Sequence, residues 1–463
     1  MPPHLDTPIA ITLSITNTCN MRCAYCYSDC RERPSEDELT TEQWLALIDY
    51  FAEHDFVVAY FEGGEPLARP DFIRIVRHSS RTMMTWLRTH ATSIDRQAAT
   101  QLKQAGLGGA FVDLMGANAA THETSTGVAG SFEATSSAVR HLLAVGIDTR
   151  LLVILNRRTA PELNDVLRLA SELGVRHVSI LRLYPIGRAK RLWNQLALSL
   201  DEQMAALAGL KPPPDVRVAH SWHPHDKNCC WSSATVDAYG RSIGCPYLRE
   251  LVDYGNVLET PFLESWHNDR LYRQLRSGQV ASGCGTCETR EGTRGGCRAT
   301  AFAFAGRWDA PDPFCPEMNE GIDLRVLPDR IVRLPTPRAP QRRAAQEARP
   351  KPQARLRSDL PNGERAFGCG RADSFRLVPG TRVREVPERD VCLIYTPENP
   401  ALYALQDEAW LIFRNCLGKT REEVIRTYTE QVAAAGITPE EAMLEGLDSL
   451  SDLVGKRIIE QVV

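Results

Sequence analysis

The sequence predicts an α/β protein organised around a parallel β-sheet, and three observations predict it. Between about Ile9 and Ala189, short apolar runs alternate six times with amphipathic helical stretches. Several of those stretches open on Ser, Thr or Asp and close on Gly, as helices do. Each apolar run gives way to a polar or glycine-rich loop: NTCNMRC, EGGEP, THA, MGA, NRR and PIGRA in turn.

Strands are expected at residues 9–16, 57–63, 84–90, 109–115, 150–156 and 177–185, with helices such as TEQWLALIDYFAEH, DRQAATQLKQAG and PELNDVLRLASELG between them. Strict alternation implies right-handed crossovers and parallel strands, in a barrel-like or open sheet. In such folds the chemistry collects at the C-terminal strand ends, where loops vary without disturbing the core.

At 463 residues the chain exceeds one ordinary core, so two to four domains are expected. The alternating pattern occupies 1–210, and a region of short strands, turns and cysteines follows over 211–322. Residues 323–371 hold many Arg and Pro and read as a linker; a basic nucleic-acid-binding arm is the weaker reading, for want of interleaved aromatics. Order returns in 372–463, where FRLVPGTRVREV, DVCLIYTP and ALYAL read as strands and three helices follow, a small α+β domain.

The apolar fraction of 43% and charged fraction of 24% belong to a soluble globular protein. No apolar run reaches membrane-spanning length, and MPPHLDTP has neither a basic nor an apolar signal region, so a cytoplasmic location without membrane contact is expected. A net charge of -4 gives no general attraction to nucleic acid. Fourteen Cys in such a chain are better read as metal ligands than as disulfides.

Cys19, Cys23 and Cys26 follow the first strand with spacing C-x3-C-x2-C. Three thiolates on a tight loop suit one corner of an iron-sulfur cube, leaving one iron for a non-protein ligand. A structural zinc site would need a fourth ligand, for which Cys30 is near enough to consider. Gly63-Gly64-Glu65-Pro66 ends the second strand, where glycine permits close backbone approach and a carboxylate can neutralise an ammonium; alone it could be a plain turn.

With these motifs in register, the chain resembles the radical S-adenosylmethionine superfamily over roughly residues 8–190. CNMRCAYC matches the family's cluster loop, with the aromatic Tyr25 before the last cysteine. The resemblance implies a partial (β/α)6 barrel holding one 4Fe-4S cluster on Cys19, Cys23 and Cys26. S-adenosylmethionine would chelate the open iron through its methionine amino and carboxylate groups and be cleaved to a 5'-deoxyadenosyl radical. Gly63, Gly64 and Glu65 would meet the amino group, Asp113 the ribose, and Asn156 would make a further contact or cap a turn. THAT at 89–92 stands where relatives often have Thr-Asn-Gly, and HETSTGVAGSFE lacks the arginine common there.

The second cysteine group runs Cys230-x9-Gly240-x4-Cys245, then Cys284-x2-Cys287, Cys297 and Cys315. GGCRATAFAFAGRWDAPDPFCP resembles the SPASM extension of peptide-modifying radical enzymes, which carries two auxiliary 4Fe-4S clusters. By that likeness Cys230, Cys245 and Cys297 would serve the first, with Cys229, His223 or His225 as fourth ligand. Cys284, Cys287 and Cys315 would serve the second. Thr293 stands where the pattern has another cysteine, so that cluster would take a weaker oxygen ligand such as Glu291 or Thr293, or keep an open iron. A single zinc ribbon on Cys284, Cys287, Cys297 and Cys315 is the simpler alternative. Cys369, Cys392 and Cys416 lack partners at motif spacing and read as ordinary structural residues.

Residues 375–463 resemble the PqqD-like winged-helix module that recognises precursor peptides, through strand and helix order and patches such as LVPG and ALQDEAWLIF. A DNA-binding winged helix is disfavoured by Glu430, Glu440, Glu441, Glu445 and Asp448 in the last helices. The resemblances together imply a maturase that binds a ribosomally made precursor peptide, abstracts a hydrogen from a core residue and draws electrons from a flavodoxin or ferredoxin. The alternatives are a radical enzyme acting on a tetrapyrrole or quinone precursor, and a redox-sensing DNA-binding regulator.

Overall fold

The computed structural model describes residues 5–222, 230, 233–277, 280, 295–334, 373–433 and 437–462. The chain divides into two compact units, Met1–Pro340 and Gln341–Val463.

The first unit is built on a parallel sheet. Its strands are β1 (Ala10–Thr16), β2 (Val58–Gly63), β3 (Met84–Thr89), β4 (Gly109–Asp113), β5 (Asp148–Leu155), β6 (His177–Arg182), β7 (Arg217–His220) and β8 (Ser233–Val236). Among the described residues the sheet has eight strands in the order β7-β6-β5-β4-β3-β2-β1-β8, every neighbouring pair parallel. The order leaves β7 and β8 as edges, so the ladder does not close on itself. Helices α1 (Thr41–Glu53), α2 (Phe72–Ser79), α3 (Arg96–Gln104), α4 (Ala119–Thr126), α5 (Ser131–Ala144) and α6 (Leu163–Leu173) lie in the connections between β1 and β6.

The six expected strands are found in place, because strands packed on both faces must be nearly continuous in apolar residues. Ile11, Leu13, Phe61, Leu87, Ala110, Val112, Leu151, Val153 and Ile180 are all fully buried. Local signals fix the helix starts: Thr40 and Gln43 form a capping box before α1, and Asp95 accepts from the Ala98 N–H before α3. The seventh and eighth strands, β7 and β8, extend the sheet from a region read as irregular. Residues 323–334, expected to begin a linker, are instead packed: Leu324 and Ile331 are buried, and the Trp193 indole N–H donates to the Leu324 carbonyl at 2.8 Å. An apolar residue at both positions supplies the reason. No helix among the described residues is long and apolar enough to cross a membrane.

The second unit has its own core, including Phe375, Ile394, Ile412, Val424, Tyr428, Leu450 and Ile459. The expected first strand is two, β9 (Phe375–Leu377) and β10 (Arg382–Val386), broken by Pro379-Gly380, with Gly380 at φ +82. Strands β10, β11 (Val391–Thr396) and β12 (Ala401–Leu405) form an antiparallel sheet. A further strand, β13 (Ile459–Gln461), pairs with β9. Three helices, Asp407–Cys416, Arg421–Val432 and Pro439–Gly455, complete it.

Candidate active site

Cys19, Cys23 and Cys26 all line one cavity, partly open to solvent, at the C-terminal ends of the strands. The loop that carries them is held from three sides. Cys19 N–H donates to the Arg31 carbonyl at 2.7 Å, and Arg22 and Ala24 N–H groups donate to the carbonyls of Thr126 and Ser125 at the end of α4 at 2.9 and 2.8 Å. From the PIGRA loop after β6, the Arg188 N–H meets the Cys26 carbonyl at 2.8 Å and its guanidinium meets the Cys23 carbonyl at 3.0 Å. Gly187, at φ +61, allows this approach, since a Cβ there would lie 2.6 Å from the Tyr27 backbone.

Gly63 and Gly64 line the same cavity. Their backbone faces β1: Gly64 N–H donates to the Thr16 carbonyl at 2.8 Å and Glu65 N–H to the Thr18 carbonyl at 2.7 Å. A Cβ on Gly64 would fall 2.0 Å from the Thr18 oxygen. Glycine is therefore required to bring the end of β2 against the cysteine loop.

Burial sets the electrostatics of the thiols. It pushes Cys19 up to about 12 and Cys23 well above its ordinary value, whereas a hydrogen bond from the Cys30 thiol brings Cys26 down to about 6. Thiols buried in this way ionise only beside a cation, and a metal supplies one. Among the described residues no three His, Cys, Asp or Glu side chains converge closely enough for a single metal ion. Four thiols line the cavity, those of Cys19, Cys23, Cys26 and Cys30, and such soft donors are of the kind that suit iron.

Asp113, at the end of β4, also lines the cavity; burial raises its carboxyl, opposed by Arg88. Its Oδ1 lies 3.5 Å from Arg88 Nε, and no described donor completes a hydrogen bond to it. A buried oxygen left in that condition fits an incoming hydroxyl donor. Tyr25 lines the cavity beside Cys23. Glu65 and Asn156 are not among its lining residues. The Glu65 carboxylate accepts from the Thr89 hydroxyl at 2.7 Å, the Leu67 N–H at 3.2 Å and the His90 N–H at 3.2 Å. Asn156 caps its own turn, donating to the Ile154 carbonyl and accepting from the Arg158 N–H, both at 2.9 Å.

The cavity brings in residues the motifs did not indicate: Tyr27, Glu62, Arg88, Arg182, Tyr184 and Tyr247. Tyr27 donates to Glu62 at 2.7 Å, and Tyr184 stacks on Tyr247 with centroids 3.5 Å apart. Charges inside the otherwise apolar runs VAYFEG, MTWLRTH and HVSILRLYP were the available signal, because a charge in a buried strand must find a partner.

Cys230 and Cys245 come together around a second, closely packed recess with Gly244, Leu248, Tyr254, Tyr272 and Leu275. Two soft thiols lining one recess are donors suited to iron. Cys297 is the N-cap of the helix Arg298–Ala305 without using its side chain to cap, and Cys315 is buried. Cys229, Cys284, Cys287 and Cys369, and the alternative ligands His223, His225, Glu291 and Thr293, lie outside the described residues. The described cysteines form no disulfide.

This geometry, a cysteine loop at the end of the first strand of a parallel sheet, defines a class of iron-sulfur enzyme, and comparison with known proteins agrees. The Radical SAM superfamily matches residues 13–170, and SPASM, an iron-sulfur cluster-binding domain, matches residues 229–288. Mycofactocin maturase MftC of Mycobacterium tuberculosis is 30% identical over 366 residues, covering 75% of this chain and 92% of that protein. An AdoMet-dependent heme synthase of Oleidesulfovibrio alaskensis is 28% identical over 337 residues, covering 66% and 86%. Streptococcus suis SuiB bound to precursor peptide SuiA shares the fold, with TM-score 0.54, 13% identity and coverage of 68% and 77%. The chain belongs to the radical SAM superfamily. It is an enzyme that uses S-adenosylmethionine and 4Fe-4S clusters, with a SPASM domain over residues 229–288.

Proposed function

We propose that the protein is a maturase that binds a ribosomally made precursor peptide and modifies one of its core residues. The observation that carries this reading is the shared cavity of Cys19, Cys23, Cys26, Gly63, Gly64 and Asp113, in a chain whose maturase relative matches it over most of its length. Cys19, Cys23 and Cys26 would hold the cluster, Tyr25, Gly63 and Gly64 would border the cofactor, and Asp113 would accept its ribose hydroxyls. When bound, cluster and cofactor would supply the radical chemistry that removes a hydrogen atom from the substrate. Tyr27, Tyr184 and Tyr247 form an aromatic wall that restricts water, and Arg88 is held against Tyr247 and Asp113 to orient what enters. The Glu65 carboxylate positions Thr89 and His90. Asn156 holds the turn after β5.

Cys230, Cys245 and Cys297 would serve one auxiliary cluster, with Cys229 adjacent. Cys284, Cys287 and Cys315 would serve a second that lacks one cysteine. A flavodoxin or ferredoxin would provide the electrons. The domains are read as 1–210, 211–322, 323–371 and 372–463, the first a partial barrel continued by β7 and β8. The last is read as a PqqD-like module: β10 and β12 leave unpaired edges among the described residues, to which a leader peptide can add as another strand.

The heme synthase relative favours a second reading, modification of a tetrapyrrole. Anaerobic reconstitution followed by mass spectrometry of a co-expressed precursor peptide separates the two. A mass change in the peptide that disappears in the Cys19→Ala, Cys23→Ala and Cys26→Ala variants is expected. An unchanged peptide together with turnover of a tetrapyrrole would transfer the assignment to the second reading.

A further inference from the structure

Asp312 joins two parts of the first unit that are 130 residues apart in sequence. Its side chain is buried, and each carboxylate oxygen takes two donors. Oδ2 accepts from the Cys297 N–H at 2.9 Å and from Arg182 Nη1 at 2.6 Å. Oδ1 accepts from the Thr300 hydroxyl at 2.8 Å and the Phe314 N–H at 3.1 Å. Four donors fill the acceptor capacity of an ionised carboxylate, and no neutral side chain of this size offers as much.

The partners matter as much as their number. Arg182 ends β6 and lines the cavity of the first cysteine loop; its Nε donates to the Ser221 carbonyl at 2.8 Å, and its guanidinium lies 4.7 Å from the Phe314 ring centroid. Cys297 opens the helix Arg298–Ala305, where the N-terminal dipole favours a thiolate. Asp312 holds the Cys297 backbone from which that thiol projects. Gly296 has φ +73, and a Cβ there would lie 2.6 Å from the Asp312 side chain, so the sequence leaves room for the carboxylate at this point.

We infer that Asp312 is a positioning residue that aims the Cys297 thiol at an auxiliary cluster and keeps it in register with the Arg182 wall of the reaction cavity. The inference rests on the reading of Cys297 as a cluster ligand. Substrate cavity and auxiliary site then move as one mechanical unit, which fixes the distance between the place where a substrate radical forms and the group that exchanges an electron with it.

The test compares Asp312→Asn with Cys297→Ala in the full chain, reconstituted anaerobically with iron and sulfide. The amide keeps the shape but replaces one acceptor oxygen by a donor, which must face one of the two donor pairs. Iron and sulfide per chain are measured, with electron-resonance spectra before and after addition of S-adenosylmethionine. Both variants are expected to lose the same auxiliary component of iron and spectrum while keeping the signal that shifts with S-adenosylmethionine. Wild-type iron and spectrum in Asp312→Asn, beside loss in Cys297→Ala, overturns the positioning role and leaves the ligand reading intact. Wild-type iron in Cys297→Ala overturns the ligand reading, and the inference with it. Should Asp312→Asn fail to fold because it strands a buried guanidinium, the double variant Arg182→Met with Asp312→Asn removes that cost. It is still expected to lack the auxiliary component, and wild-type iron in it overturns the inference.

Discussion

Arg188 reaches back 165 residues to donate a guanidinium N–H to the Cys23 carbonyl at 3.0 Å. Its own N–H holds the Cys26 carbonyl at 2.8 Å, so one residue of the last βα loop fixes two of the three cysteines. Arg188→Met keeps the backbone bond and removes the other. Because groups that orient metal ligands matter nearly as much as the ligands, about 10- to 100-fold weaker iron retention is expected. Iron loss to a chelator, followed alongside deoxyadenosine formation, measures it; retention equal to wild type would show that the backbone bond suffices.

Gly64→Ala tests the junction between β2 and the cysteine loop. The added methyl would sit 2.0 Å from the Thr18 carbonyl oxygen, which is backbone and cannot swing aside. Forcing the two segments apart should cost about 1–3 kcal/mol of stability. Chemical denaturation reads the cost, and cofactor binding should weaken in parallel because Gly63 and Gly64 border the cavity.

These two positions show what was legible in the sequence. The cysteine loop and GGEP could be read because each is a contiguous motif, and β1 to β6 because buried parallel strands are written as apolar runs. Strands β7 and β8 are only RVAH and SATV, four residues each and too mixed to carry a period. Glu65 could be assigned to an ammonium from its motif, but two of its donors, Thr89 and His90, depend on where β3 ends. Arg88, Glu62 and Arg182 were visible as charges in strands, yet which face they occupied required the register. Arg188 was not legible in this role, since it holds the cysteine loop through carbonyls, which leave no trace in side-chain pattern.

Lys190 and Glu250 form a buried ion pair at 2.6 Å, and the other Glu250 oxygen accepts the Gly187 N–H at 2.8 Å. Removing one partner leaves an uncompensated charge in the interior, so Glu250→Gln should destabilise the unit by about 3–5 kcal/mol. The double variant Lys190→Met with Glu250→Gln should recover part of that loss. Denaturation midpoints of the three proteins decide it: equal midpoints for Glu250→Gln and the wild type would mean the pair contributes nothing.

His122 supplies a pH dependence. It is fully buried on α4, its Nδ1 accepts the Met115 N–H at 3.1 Å, and burial brings its imidazole down to about 4. The folded value lies below the ordinary 6.5, so the unfolded chain takes up the proton first. Its contribution is complete above pH 6.5 and is lost as pH falls toward 4. The gap corresponds to roughly 3 kcal/mol. His122→Asn keeps an acceptor and abolishes the titration, so its stability should fall less steeply across that window; identical slopes would mean that other groups govern the acid limb.

The C-terminal unit has its own apolar core, so removing residues 373–463 takes away no part of the core built on the parallel sheet. If that unit captures the leader of a precursor peptide, deletion leaves the cleavage of S-adenosylmethionine unaffected and weakens only the encounter with substrate. Tethering two binding events raises apparent affinity by about 10²- to 10⁴-fold, and the loss should be of that order at low peptide concentration. Raising the peptide concentration should restore the rate, because the cavity and its cysteines are untouched. Rates of deoxyadenosine and modified-peptide formation, measured together over a range of peptide concentrations, separate the cases. A parallel fall in both activities would instead assign the unit a structural role.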